Sequence, residues 1–355
     1  MAAEPYQEPK AGIHAALSFL RSIWGHRRKA FAVLAVILAL FVVYGAWSLL
    51  SGSRKIAGED IIRAAPIQTA QPASPTTPSP RDPAPAGGVH GTLTPVRRPE
   101  VEGVLFLQAY IHVLDYELRE RRFGWRPNSL LSGKLRLTDN VRNAQLGVLE
   151  TVRVVGRVLK EKITRFGDAD AFNPQIEKAT NLFMISAGQF WFPAADEEYR
   201  KGIAELERYL KDLNAGRVRF YARSDTFEHL VHACKELVGN CHHNLIKQTE
   251  SDGTLVSTWR ADDYFYYAQG VASAMGSILE AGLVDFREEL VLIKGLKLME
   301  EVVHALDRAA GMNPWIVLNG NLNGFLANHR ANMAVPMGEA LFKLNNVLRY
   351  GGGGV

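Results

Sequence analysis

From Ala30 to Leu50 the chain reads AFAVLAVILALFVVYGAWSLL, 21 residues without a charge. At about 1.5 Å rise per residue, a helix of that length spans roughly 30 Å, the hydrocarbon thickness of a bilayer. Tyr44 and Trp47 lie towards its C-terminal end, where amphipathic rings settle at the membrane interface. A soluble core helix this long would carry a polar face, and this stretch carries none. A transmembrane helix over residues 30–50 is therefore expected.

His26, Arg27, Arg28 and Lys29 abut the N-terminal end of the span, with Arg21 and Lys10 upstream. Beyond it Arg54, Lys55 and Arg63 are partly offset by Glu59 and Asp60. The positive-inside rule puts residues 1–29 in the cytoplasm and the rest of the chain outside. A cleaved signal peptide would have a shorter apolar core and a briefer charged leader, so an uncleaved signal anchor fits better. Ile13, Leu17, Leu20 and Trp24 recur at helical spacing with Ile23 alongside; they form an apolar face that either lies in the cytoplasmic leaflet or belongs to a poorly ordered tail.

Residues 51–99 are a Pro/Ala/Ser-rich linker with almost no large apolar side chain after Ala64, expected to be disordered with polyproline character. At about 3.1 Å per residue the stretch after Ala64 reaches on the order of 100 Å. Residues 1–99 hold 11 Lys/Arg against 5 Asp/Glu, and residues 100–355 hold 30 against 32, a net of −2. The basic excess flanks the span, and the near-neutral remainder offers no concentrated surface for nucleic acid.

Residues 100–350 read as an all-α domain of seven or eight helices, followed by a flexible Gly tail over residues 351–355. Apolar stripes predict helices from Val104 to Leu118, ending near Gly124, and from Leu146 to Ile163. Others begin near Pro174, run from Ala194 to Asn214, and open at an Asp225–Glu228 capping box before continuing to Lys247. Ala261–Ala281, Phe286–Ala310 and a helix over 325–350 kinked at Pro336 complete the set. Gly270, Ala272, Ala274 and Gly276 would let a neighbouring helix approach closely. Short extended pieces are expected at Lys134–Leu137 and Thr254–Thr258.

The only cysteines, Cys234 and Cys241, lie two helical turns apart, about 10.5 Å of rise, too far for a disulfide on an intact helix. They share a stripe with Leu230, Leu237 and Leu245, which makes them core thiols. The rival is a soft-metal or haem site using His229, His232, His242 or His243, without the usual close Cys-x-x-Cys spacing. Glu301-x-x-His304 matches half of a carboxylate-bridged di-iron pattern, but no second copy exists, so a surface pair is the better reading. The sequence has no phosphate-cradling Gly loop, nucleophile elbow, His-Glu-x-x-His or EF-hand pattern, so no cofactor or metal is expected.

Asp262 and Asp263 precede Tyr264, Phe265, Tyr266 and Tyr267. Paired carboxylates beside aromatics suit glycan chemistry or binding, whereas Asp at a helix start is ordinarily a cap, the preferred reading. Residues 319–324, Asn-Gly-Asn-Leu-Asn-Gly, form a dense Asn/Gly loop followed by Asn328 and His329, with Trp315 nearby. Such loops accept left-handed backbone angles and line pockets as well as turns. Asp262, Asp263, Trp315, Asn319, Asn328 and His329 are therefore the candidate ligand-binding residues.

With these residues in view, the domain resembles an uncharacterised bacterial family, catalogued only as a domain of unknown function. The similar segments, in order, are Gly124-Trp125 with Pro127-Asn128; Asp139-Asn140, Asn143 and Gln145-Leu146-Gly147; Pro193 with Glu198-Tyr199; Asp262-Asp263 with Phe265 and Gly270; Asp285-Phe286; and Leu318-Asn319-Gly320 with Leu326-Ala327-Asn328-His329 and Met333. The resemblance implies a single-span protein of a bacterial inner membrane, which with the orientation expected above puts the C-terminal domain in the periplasm, and it supplies no activity or catalytic residue. The leading expectation is a non-enzymatic envelope module that binds a partner protein or cell-wall material. The alternatives are an enzyme or ligand-binding domain with a pocket at Asp262, Asp263 and the Asn/Gly loop, and a metal protein built on the Cys/His helix.

Overall fold

The structure is a computed structural model describing residues 101–122, 124–128, 139–314, 316–321 and 325–351. The chain divides into Met1–Gly52 and Ser53–Val355, and every described residue belongs to the second unit. The stretch 30–50, the linker and Lys134–Leu137 lie outside the described residues. Among those that are described, no helix is long and apolar enough to cross a membrane.

Nine α-helices and no sheet make up the described residues: α1 Val104–Asp115, α2 Asp139–Val158, α3 Pro174–Phe183, α4 Ala195–Asn214, α5 Ser224–Ile246, α6 Thr258–Asp285, α7 Arg287–Leu292, α8 Leu296–Ala310 and α9 His329–Gly351. The all-α expectation holds, with one helix more than the sequence predicts. The extra one arises because the helix expected over Phe286–Ala310 breaks at Lys294, whose φ of 55° leaves the right-handed helical region. The Gly295 amide bonds back to the Leu290 carbonyl at 2.8 Å, closing α7 before α8 starts. Single π-turns extend α1 over Tyr116–Glu120 and α2 over Leu159–Ile163. The strand expected at Thr254–Thr258 is only an isolated bridge between Thr249 and Leu255, and Thr258 already belongs to α6.

The helix starts have identifiable causes, and two of them differ from the expectation. Asn173 accepts the Gln175 and Ile176 amides at 3.0 and 3.2 Å and caps α3, with Pro174 at its first position as expected. At α5 the reciprocal bond is made by Thr226, whose hydroxyl accepts from the Arg223 amide at 3.1 Å. Asp225 instead pairs with the Arg223 guanidinium at 2.7 Å, so the expected Asp225–Glu228 box is not formed. The last helix starts at His329 rather than Phe325 because Asn328 accepts the Ala331 amide at 2.8 Å, and it continues through Pro336.

The central element is α6. It packs against α1, α2, α5, α8 and α9, and its residues from Ala268 to Leu279 are all buried. A helix surrounded in this way needs apolar or small residues all round, which AQGVASAMGSIL supplies. A Cβ at Gly270 would run into the Ala144 carbonyl oxygen of α2, and one at Gly147 into the Tyr267 carbonyl of α6. These two glycines set the α2–α6 separation. The small-residue row therefore does serve close packing.

Candidate functional site

Ser257 is the N-cap of α6, its hydroxyl accepting the Arg260 amide at 3.3 Å. Asp262 and Asp263 therefore sit in the second turn and do not cap the helix, contrary to the preferred sequence reading. Released from that role, Asp263 accepts a hydrogen bond from the Asn143 side-chain amide at 2.8 Å and feels the charge of the Asp139 carboxyl. Both partners come from the first turns of α2, so three carboxyls gather where α2 and α6 meet.

Burial, then the neighbouring Asp263 and Asp139 charges, push the Asp262 carboxyl up to about 7. Asp263 is also raised, by burial and Asp139, against the pull of Asn143 and Arg260. Arg260 lies 3.9 Å from Asp263, and Arg142 lies 3.5 Å from Asp139. Like-charged carboxyls in a partly buried site cannot all ionise, so this group retains a proton near neutral pH. A protonated Asp262 can donate a hydrogen bond or a proton. The following aromatics build no exposed platform: Phe265 and Tyr266 pack edge-on, with ring centroids 5.3 Å apart, inside the core. The Tyr264 hydroxyl donates to Glu250 at 2.9 Å, while Phe265 and Tyr266 are buried.

The Asn/Gly loop is held by its own polar groups. Asn319 donates to the Val256 carbonyl at 3.2 Å, and Asn328 donates to the Gly320 carbonyl at 2.8 Å while capping α9. His329 accepts the Leu318 amide at Nδ1, 2.9 Å away. Gly320 is required, since a Cβ there would collide with the Leu326 carbonyl oxygen. Trp315 and residues 322–324 lie outside the described residues. The acidic group draws its partners from α2, and the loop draws its own from Val256 and the start of α9. Phe325 and Leu326 are presented to solvent, as are Leu255 and Trp259 on either side of Val256.

Cys234 and Cys241 are free, buried thiols, both pushed up to about 12 by burial. His229, His232 and His243 are exposed, and His232 lies 3.8 Å from Glu228. Among the described residues no group of three or more His, Cys, Asp or Glu side chains is arranged to hold a metal ion. Glu301 pairs with Lys343 of α9, and His304 is exposed, which fits the surface reading.

The earlier similar segments form a second polar centre. Gln145 accepts the Arg126 amide at 2.9 Å and donates to the Gly124 carbonyl at 3.0 Å. Trp125 donates to the Ala187 carbonyl at 3.2 Å and packs edge-on against Tyr199, with ring centroids 5.3 Å apart. Asn128 donates to Asp196 at 2.9 Å. All of these groups are spent on joining α1, α2 and α4. Asp139 and Asn143, partners of the acidic pair, are not among the candidates drawn from local sequence pattern. Their presence in the same series of similar segments was the available signal.

The chain matches the family described as "Uncharacterized protein conserved in bacteria (DUF2333)" over residues 89–256 and 242–351. No curated protein and no solved structure matches it.

Proposed function

The chain belongs to this family of uncharacterised bacterial proteins, and from that premise we propose that it is a membrane-anchored helical module that binds a partner in the cell envelope. One observation carries the reading: Asn319, Asn328 and His329 are committed to holding the loop, and the loop offers apolar Phe325 and Leu326 to solvent. A loop stiffened by its own hydrogen bonds presents side chains at little ordering cost, which favours binding. The uncharged stretch 30–50 and its basic N-terminal flank support the anchor and an extracytoplasmic domain. A photo-crosslinker placed at Phe325 in living cells tests it. A discrete adduct with an envelope protein or wall fragment, lost in Leu326→Ser, supports the reading, and no adduct overturns it.

A second reading rests on Asp262. A carboxyl raised to about 7 beside Asp263 and Asp139 suits a general acid or a pocket for a hydrogen-bond acceptor. It requires Asp262→Asn to abolish ligand binding or turnover without loss of fold.

A further inference from the structure

Between α3 and α4 the chain turns outward through Phe190, Trp191 and Phe192. Trp191 is 71% exposed and Phe192 is 93% exposed. Phe190 and Trp191 pack edge-on, with ring centroids 5.1 Å apart. The base beneath them is fixed. The Gln189 amide donates to the Ser186 carbonyl at 3.0 Å, the Ala195 amide to the Gln189 carbonyl at 2.9 Å, and the Gln189 side chain to the Pro193 carbonyl at 2.8 Å. Of the three carboxylates at the start of α4, Asp196 pairs with Arg200 at 2.7 Å and Glu198 with Lys201 at 2.5 Å, so exposed Glu197 is the charge that stays beside the tip. Three adjacent rings thus stand on a hydrogen-bonded base, at an energetic cost that water alone does not repay.

We propose that this aromatic tip inserts into the interfacial layer of the membrane that holds residues 30–50. The inference rests on reading those residues as an anchor. Three rings offer on the order of a few hundred Å², short of the roughly 800 Å² per partner that a stable protein interface buries. A projecting tip of that size needs no complementary surface in lipid, and Trp and Phe are the rings that favour the headgroup boundary. The bilayer is also the one apolar phase to which the chain is already tied. The linker's reach, on the order of 100 Å, lets the domain return to it.

The test uses full-length protein reconstituted in phosphatidylcholine vesicles at about one copy per vesicle. Phe192→Cys carries an environment-sensitive fluorophore, Glu236→Cys on α5 serves as the comparison, and both native thiols are buried. Flotation reports the anchor separately. Protein that fails to float with the vesicles removes the anchoring reading and this proposal with it. In floating protein, a blue-shifted emission at position 192 that is quenched by headgroup-proximal nitroxide lipids, with no quenching at 236, supports insertion. Trp191→Ser is then expected to reduce the shift. Overturning results are no quenching at 192, equal quenching at both positions, or a blue shift that appears only in crowded vesicles and so reports a second copy.

Discussion

Leu318 and His329 hold each other twice: the Leu318 amide donates to His329 Nδ1 at 2.9 Å, and the His329 amide donates to the Leu318 carbonyl at 2.9 Å. The first of these bonds requires a neutral ring with its proton on Nε2. Burial lowers the affinity of His329 for a second proton. The unfolded chain therefore binds protons below pH ~6.5 that the folded chain refuses, and stability falls as pH drops from there to the lowered folded value.

Replacing this histidine separates loop closure from the rest of the fold. His329→Ala leaves the Leu318 amide without its acceptor and is expected to cost about 1–3 kcal/mol in denaturant unfolding. His329→Asn, whose side-chain oxygen can take the place of Nδ1, recovers part of that loss and removes this histidine's share of the slope below pH 6.5.

Asp262 has the opposite pH dependence. Its folded value of about 7 exceeds the unfolded value, so the folded state binds more protons between about pH 4 and 7. Stability from this group is complete below about pH 4 and is lost as pH rises through 7. Asp262→Asn is expected to stabilise the protein by roughly 2–4 kcal/mol at pH 8 and to be near neutral at pH 4. Thermal melts at the two pH values check the crossover.

Gly270 and the Ala144 backbone are in direct apposition. Gly270→Ala should destabilise by about 1–3 kcal/mol or more by forcing α2 away from α6, and Gly147→Ala should do the same. Gly253→Ala, in a turn with open space but a φ of 82°, strains only its own backbone and serves as the comparison in equilibrium unfolding.

Cys234 and Cys241 should resist thiol reagents at pH 8 in native protein, because both are buried and pushed up to about 12. Both should react rapidly in denaturant. Metal analysis of native protein should find no stoichiometric zinc or iron.

Helices with a one-sided stripe were readable in outline, although α4 also buries Glu205, which its spacing places on the outer face. Ile203, Leu206 and Leu213 of α4 are buried as their spacing requires, and Asn173-Pro174 marks the start of α3. The start of α6 was not readable, because Ser257 and Asp262 are both competent caps and only the fold shows which residue is used. The break at Lys294 carries no proline and no apolar interruption, only a lysine in a left-handed conformation before Gly295. Within the candidate site, the loop was visible as composition, whereas the joining of Asp139 and Asn143 to Asp263 spans more than a hundred residues and leaves no local periodicity.

The central proposal is that residues 30–50 hold the chain in a bilayer with the helical domain outside the cytoplasm. Topology reporters fused to the C-terminus test it most directly. Alkaline phosphatase, active only after export, should be active there, while a fluorescent protein that matures only in the cytosol should stay dark. A bright cytosolic reporter with inactive phosphatase would contradict the account.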